Sequence, residues 1–286
     1  MGDKSAYQRR DENDLGPFGK HEPSSMTALA MRLAGRQTES WLSRRFAFWL
    51  RRMAIDRLSG PVDTTALGAR MRLYPFNNVC EKRILFTPQY FDKAERDLLA
   101  SRIKPGFTFI DIGANVGGYA LFVAALAGPG ARILAIEPQP VIFERLVYNI
   151  GQNPFGTLKA IACAVADHDG DLTLFVDTHN RGQSSVKMVA GSAGRGAAVR
   201  VPAKMLTTIL REEAITRIDA AKLDVEGAED LILEPFLRDA PRSLLPKILI
   251  MENAKGRWQH DVRARLVEHG YRKILETRLN LAFELD

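Results

Sequence analysis

A single acid followed by a glycine-spaced loop is the feature of this chain with the clearest chemical meaning. Residues 109–118 run from an apolar stretch through Asp111 into a D-x-G-x-x-x-G spacing, and an apolar stretch follows from Tyr119 to Leu126. This order predicts a strand, a tight loop and a helix N-terminus, which is where open α/β sheets bind their ligands. Glycine lets the backbone approach a ligand more closely than a residue with a Cβ, although such a turn can also serve packing alone.

The spacing of this loop differs from that of the common phosphate-binding loops. It is neither G-x-G-x-x-G nor G-x-x-x-x-G-K-[ST]. A carboxylate at Asp111 repels phosphate and suits a cation, such as the ammonium and sulfonium groups of S-adenosylmethionine. A second acid, Glu137, ends the next apolar run and is placed to accept hydrogen bonds from both hydroxyls of a ribose. NAD enzymes use the same acid, so the choice between the two cofactors depends on Asp111 and the glycine spacing.

The composition is that of an ordinary globular chain. Its 286 residues allow one large domain, or one domain with an extension, and 46% hydrophobic residues can form a sizeable core. The two cysteines, Cys80 and Cys163, lie far apart, which fits a reducing compartment and excludes a disulfide framework. No run of about eighteen apolar residues occurs, and the N-terminus lacks the apolar core of a signal peptide. The sequence therefore predicts a cytoplasmic protein.

Most of the net charge of +6 lies near the N-terminus. Residues 32–57 contain seven arginines against Glu39 and Asp56, a net charge of +5, so the rest of the chain is nearly neutral. Enzymes that act on nucleic acids usually carry their basic footprint around the site. We therefore predict no nucleic-acid partner.

The same basic segment has the pattern of an amphipathic helix. Residues 27–58 carry large apolar side chains three or four positions apart, at Leu42, Phe46, Trp49 and Met53. A helix of this kind can lie on a membrane surface or dock on a partner through residues 32–57. We favour packing of this stripe on the chain's own domain, because large apolar residues usually belong to the core. Gly60-Pro61 ends the helical segment.

Strand-like and helix-like segments alternate in the rest of the chain, which predicts a doubly wound sheet. Four strand ends carry acids, Asp111, Glu137, Asp224 and Glu252, and these should gather along one edge of the sheet. Ala160–Val165 is predicted to be one buried strand. Residues 178–198 have no periodicity and are predicted to be a disordered loop or a substrate cover.

Several motifs together resemble the FkbM family of S-adenosylmethionine-dependent methyltransferases. They are FIDIGANVG at 109–117, Glu137-Pro138, AVADHDG at 164–170, GQSSV at 182–186 and KLDVEGAE at 222–229. The resemblance covers roughly residues 70–275, and KLDVEGAE is its most specific part. It implies an α/β class I methyltransferase (Rossmann-like) fold, with a doubly wound seven-stranded sheet whose last strand is antiparallel, preceded here by an N-terminal helical extension. It also implies O-methylation, commonly of sugar or polyketide hydroxyls.

Residues 1–60 lie outside the resemblance. Composition and periodicity predict a disordered tail (1–25) and a basic amphipathic helical extension (26–60) there, followed by an FkbM-type methyltransferase domain (61–286). The resemblance also assigns the site. The cofactor-binding residues are Asp111, Gly113, Asn115, Gly117, Glu137 and Asp167. Asp111 and the glycines frame the methionine half of S-adenosylmethionine, Glu137 holds the ribose, and Asp167 meets the adenine amino group.

The catalytic candidates are Asp224, Glu226 and His179. An alcohol needs its proton removed as it attacks, and a placed carboxylate or histidine does this. Asp224 has the alternative roles of a helix N-cap or a cofactor contact. Carboxylates at 224, 226 and 252 would suit Mg²⁺, but nothing in their spacing demands a metal, and none is predicted.

Two other classes of function compete with this one. An NAD(P)-dependent oxidoreductase would need a pyrophosphate cradle, which Asp111 argues against. A non-catalytic partner-binding protein would use the basic helix and leave the pocket vestigial, which the intact acidic strand ends argue against. No motif names the methyl acceptor beyond a hydroxyl-bearing small molecule or glycan, and none specifies the oligomeric state.

Overall fold

The computed structural model describes residues 13–177, 184–185, 196–254 and 256–286. The helices are α1 (Ser25–Gly35), α2 (Trp41–Ile55), α3 (Val79–Phe86), α4 (Lys93–Arg102), α5 (Gly118–Ala127), α6 (Pro140–Gly151), α7 (Leu206–Glu212), α8 (Glu229–Asp239) and α9 (Val262–Glu268). The strands are β1 (Val62–Ala66), β2 (Ala69–Leu73), β3 (Thr108–Ile112), β4 (Arg132–Ile136), β5 (Leu158–Ile161), β6 (Ala164–Ala166), β7 (Gly170–Asp177), β8 (Ser184–Ser185), β9 (Gly196–Met205), β10 (Ala220–Leu223), β11 (Ile248–Glu252), β12 (Tyr271–Glu276) and β13 (Asn280–Leu285).

A seven-stranded sheet with the order β12-β13-β11-β10-β3-β4-β5 forms the centre of the fold. The neighbours from β11 to β5 pair in parallel, whereas β13 runs antiparallel to both β11 and β12. The strand order changes direction between β3 and β10, which is the switch point where ligands of open α/β sheets bind. The predicted doubly wound seven-stranded fold with an antiparallel last strand is confirmed.

Both faces of the central strands are buried, which explains their continuous apolar sequence. Successive side chains of a strand point to opposite faces. Phe109 and Ile133 therefore join one apolar cluster with α5, whereas Ile110 and Leu134 join a second cluster with α8. The sheet is thus held on both sides, and its strand ends are fixed relative to one another.

The predicted single strand over residues 160–165 is wrong. The chain leaves the main sheet after Ile161 and turns at Ala162-Cys163. Ala164–Ala166 then pairs in parallel with β9, in a separate four-stranded sheet of order β6-β9-β7-β8. One continuous apolar run therefore contributes strands to two different sheets. Asp167, which follows this run, is carried away from the edge of the main sheet.

Arg72 of β2 ties the segment before α1 to the domain. Its buried guanidinium pairs with Asp63 at 2.6 Å and donates to the backbone carbonyls of Asp14 and Pro17 at 2.7 and 2.8 Å. Residues 13–24 thus lie against the domain, although the sequence predicts a disordered tail over 1–25. Residues 1–12 of that predicted tail lie outside the described residues.

The basic extension consists of two helices, α1 and α2, joined by residues 36–40. Ala47, Leu50 and Ala54 form the buried side of α2. The large apolar stripe at Leu42, Phe46, Trp49 and Met53 is on the exposed side. The expectation that this stripe packs on its own domain is therefore wrong, because the opposite side of α2 makes the buried contact. No helix in the described part of the chain has the length and apolar character needed to span a membrane.

Replacing Arg72 with Ala should lower the free energy of unfolding by about 3–5 kcal/mol, because it leaves Asp63 buried without its cation. Urea unfolding followed by circular dichroism measures this value. Arg70→Ala, at an exposed position on the same strand, is the matched control and should cost less than about 1 kcal/mol. Equal losses in the two variants would contradict the anchoring role of Arg72.

Candidate active site

A cavity of about 860 Å³ opens at the carboxyl ends of the central strands. Asp111, Glu137, Asp224 and Glu252, which lie at or just after the ends of β3, β4, β10 and β11, all line it. The predicted gathering of these four acids at one edge of the sheet is confirmed.

Asp111 is a buried carboxylate with one unsatisfied oxygen. Its Oδ2 accepts a hydrogen bond from the Ala120 backbone N–H at 3.0 Å, at the start of α5. Its Oδ1 is buried and has no hydrogen-bond partner among the described residues. Burial raises the pKa of Asp111 to about 6, although the nearby charge of Lys222 opposes this. An unpaired buried carboxylate oxygen is costly, so the cavity fits a ligand that brings a positive charge.

Lys222 is a buried cation that sequence reasoning did not assign to the site. Its ammonium pairs with Asp224 at 2.7 Å and lies 4.7 Å from the ring centroid of Tyr119. Burial alone would lower the pKa of Lys222, but the charges of Asp224 and Asp111 raise it above its ordinary value. The signal available in the sequence was a lysine inside a buried parallel strand, where an unpaired ammonium would be costly.

Glu137 is held in a fixed orientation by two backbone groups. Its carboxylate accepts from the N–H of Asn115 at 2.9 Å and from the N–H of Gln139 at 3.0 Å. Burial raises the pKa of Glu137 to about 7, against the effect of these hydrogen bonds. A carboxylate has about four acceptor positions, so two remain for ligand hydroxyls. Asn115 reaches the same region, with a left-handed backbone at φ +50°.

The two predicted cofactor-binding glycines are needed for packing. Gly113 has φ +78°, and a Cβ there would lie 2.0 Å from the carbonyl oxygen of Asp224. Gly117 has φ +93°, and a Cβ there would lie 3.0 Å from the Leu146 side chain. The glycine at 113 thus allows the end of β3 to approach the loop after β10. This approach brings Asp111 and Asp224 together.

Glu226 is a second acid with a strongly altered environment. It lines the cavity from a left-handed backbone position at φ +54°. Burial, followed by the negative charges of Asp224 and Glu252, raises its pKa to about 8, and Arg257 at 3.8 Å opposes the rise. A carboxyl group with a pKa near neutrality can take up and release protons under working conditions.

Three predicted site residues are not among the described residues that line the cavity: Gly117, Asp167 and His179. Asp167 is exposed, pairs with His168 and is absent from the cavity wall, because β6 leads the chain away from the main sheet. Cys163 and Val165 line the wall in its place. His179 lies outside the described residues, as does most of the predicted 178–198 loop.

Another part of the cavity wall comes from α2 of the N-terminal extension and from the region of α3. Arg44, Phe48 and Arg51 of α2 line the cavity, together with Asn78 and Arg83 at α3. Arg83 also pairs with Asp92 at 2.6 Å. The cavity is therefore lined by acids at the strand ends and by guanidinium groups where α2 and α3 form its wall. The only sequence signal for this wall was the basic character of residues 32–57.

Residues 111–273, more than half of the chain, match the family model described as the methyltransferase FkbM domain. The chain belongs to the FkbM methyltransferase family. The resemblance seen in the sequence is thus confirmed. This FkbM-family protein is a methyltransferase, and its cofactor is S-adenosylmethionine, whose positive charge fits the acids of the cavity.

Two curated relatives extend the match. The chain is 32% identical over 152 residues to methyltransferase sdnD of Sordaria araneosa. The match covers 44% of this chain and 58% of that protein. It thus spans less than two thirds of the length of sdnD. The chain is 28% identical over 204 residues to the 31-O-demethyl-FK506 methyltransferase FkbM of Streptomyces tacrolimicus. This match covers 61% of this chain and 76% of that protein.

A solved structure of Aeropyrum pernix fibrillarin with natively bound S-adenosyl-L-methionine is 12% identical, with a TM-score of 0.41, over 67% of this chain and 74% of that chain.

The affinity for S-adenosylmethionine should rise about tenfold or more between about pH 5 and pH 8. With pKa values of about 6 and about 7, Asp111 and Glu137 are partly protonated at the lower pH, and a cation favours their ionised forms. Binding therefore releases protons, which titration calorimetry in buffers of different ionisation enthalpy detects.

S-adenosylhomocysteine, which lacks the sulfonium charge, is the matched control and should show a weaker pH dependence. Glu137→Gln should weaken binding of S-adenosylmethionine by about 1–3 kcal/mol and flatten its pH profile. An affinity for S-adenosylmethionine that stays constant with pH would show that these acids do not hold the cation.

Proposed function

We propose that this methyltransferase transfers the methyl group of S-adenosylmethionine to a hydroxyl of a sugar, glycoconjugate or polyketide-like small molecule. The observation that supports this best is Glu226, a carboxyl group with a pKa of about 8 in the wall of the donor cavity. A relative named for 31-O-demethyl-FK506 also favours an oxygen acceptor. Hydroxyl groups need a base to remove their proton during attack, and Glu226 has a suitable pKa.

In this proposal Asp111 and the Gly113–Gly117 loop would hold the methionine half of the donor, and Glu137 would accept hydrogen bonds from the ribose. Asp167 is left out of the cofactor site because it lies outside the cavity wall. S-adenosylmethionine supplies an activated methyl group, so alignment of the acceptor oxygen with it is the main task of the protein.

Glu226 accepts the hydroxyl proton as the oxygen forms its bond to the methyl carbon and the carbon–sulfur bond breaks. Asp224 is the less suitable base, because its carboxylate is paired with Lys222. We assign Asp224 to positioning: it fixes Lys222 and adds negative charge beside Glu226. His179, outside the described residues, stays a predicted second base.

The acceptor would lie between the strand ends and the N-terminal helices. Guanidinium groups of Arg44, Arg51 and Arg83 offer planar hydrogen-bond donors, which suit the oxygens of a sugar or glycoconjugate. The absence of a nucleic-acid partner stays a prediction, because Arg44 and Arg51 bring the basic segment 32–57 to the cavity wall. In the proposed division of the chain, the methyltransferase domain (61–286) forms most of the cavity. The helical extension (26–60) forms the side of the cavity that receives the acceptor. Free Cys80 and Cys163 agree with a cytoplasmic site of action.

Calorimetric titration with S-adenosylmethionine and with NAD tests the donor assignment. Binding of the sulfonium compound and no binding of NAD is the expected result. Binding of NAD alone would overturn the proposal in favour of an oxidoreductase, and failure of both would favour a non-catalytic protein. A screen of glycosides and lipid-linked sugars for uptake of the labelled methyl group then identifies the acceptor.

Glu226→Gln should lower kcat about 10²–10⁴-fold and leave the dissociation constant of S-adenosylmethionine within about threefold of wild type. The wild-type rate should rise with pH around an apparent pKa of about 8, because the ionised carboxylate is the active form, and this step should vanish in the variant. Glu234→Gln, on the outer part of α8, is the matched control. An unchanged pH profile in Glu226→Gln would assign the base elsewhere.

A further inference from the structure

The two N-terminal helices expose an unusual amount of large apolar surface. On α2, Leu42 is 71% exposed and Trp49 55% exposed, and Phe46 and Met53 lie on the same side three or four residues away. On α1, Met26, Leu29 and Leu33 repeat the pattern at the same helical spacing, with Met26 66% exposed. Contiguous exposed apolar surface of this kind marks a site of interaction rather than ordinary solvent contact.

The opposite sides of these helices are already fixed to the domain. Ala34 of α1 and Ala47 and Leu50 of α2 form a buried cluster with Tyr90 packed against it. The Gln89 side chain donates to the carbonyl of Ala34 at 2.7 Å. The helical pair is therefore attached through Ala34, Ala47 and Leu50, and the apolar stripes of both helices are left exposed.

The charges beside the apolar stripe determine what can cover it. Arg45 and Arg52 lie on the exposed surface of α2 next to the stripe, and residues 32–57 carry a net charge of +5. A second copy of the same surface would bring two such charges together. A bilayer with anionic headgroups offers opposite charge to the arginines and an apolar boundary to the tryptophan, phenylalanine and leucine side chains.

We propose that the α1–α2 pair docks this protein on a bilayer that contains anionic lipids. The apolar stripes of both helices lie at the acyl boundary, and the flanking arginines contact the headgroups. Docking itself does not depend on the proposed O-methylation. One consequence does rest on that proposed function: Arg44, Phe48 and Arg51 of α2 line the cavity, so an amphiphilic acceptor would reach the site from the lipid surface.

Flotation of the full chain with vesicles tests the proposal without a methyl acceptor. Vesicles of equal parts phosphatidylglycerol and phosphatidylcholine should bind the protein at low salt, and binding should weaken at high salt; pure phosphatidylcholine should bind far less. The variant Leu42→Ser/Phe46→Ser/Trp49→Ser should lose about a hundredfold in partitioning. Arg45→Glu/Arg52→Glu should lose the dependence on phosphatidylglycerol.

The matched control is Leu126→Ser/Val147→Ser/Val267→Ser, which removes comparably exposed apolar side chains from α5, α6 and α9 and should bind vesicles as the wild type does. Unchanged affinity for S-adenosylmethionine shows that each variant is folded. Equal vesicle binding by the stripe variant and the control would overturn the proposal, as would the absence of binding by the wild type. A wild-type dimer that the stripe variant converts to a monomer would assign the surface to a second copy instead.

Discussion

The candidate active site buries more negative charge than its buried cation, Lys222, can compensate. The rest of the site depends on this constraint. The parallel strands end at one edge of the sheet, and their acids share one cavity with the buried Lys222. Lys222 compensates Asp111 and Asp224, yet one oxygen of Asp111 has no hydrogen-bond partner among the described residues. Burial therefore keeps pKa values high at Asp111, Glu137 and Glu226. A cationic methyl donor offsets this cost, so the same desolvation that makes the buried carboxylates costly favours binding of the cation.

The sequence was most informative where local pattern and topology agree. From Asp111, the glycines that follow it and Glu137, the sequence predicted the parallel sheet. The same residues predicted the edge of the sheet where the cavity opens and the class of cofactor. The change of sheet before Asp167 could not be predicted, because an unbroken apolar run hides the turn at Ala162-Cys163 and only the pairing of β6 with β9 shows it. Gly113 lines the cavity, but its neighbour, the Asp224 carbonyl, is distant in sequence and could not be predicted from the glycine spacing.

The N-terminal extension shows a second limit of sequence patterns. Periodicity correctly separated the large apolar stripe of α2 from its other faces but did not tell which face meets the protein. Ala47, Leu50 and Ala54 form the face that meets the protein, and the larger stripe at Leu42, Phe46, Trp49 and Met53 is left exposed. The same helix also supplies Arg44 and Arg51 to the cavity wall. The extension thus contributes both to the cavity wall and to the outer surface of the protein.

A crystal structure of the protein grown with S-adenosylmethionine would show directly which groups hold the donor. We expect the donor in the cavity at the strand ends, with its ribose on Glu137 and its positively charged groups facing Asp111 and Asp224. A donor bound away from these acids would contradict the claim that their buried charge selects the cofactor.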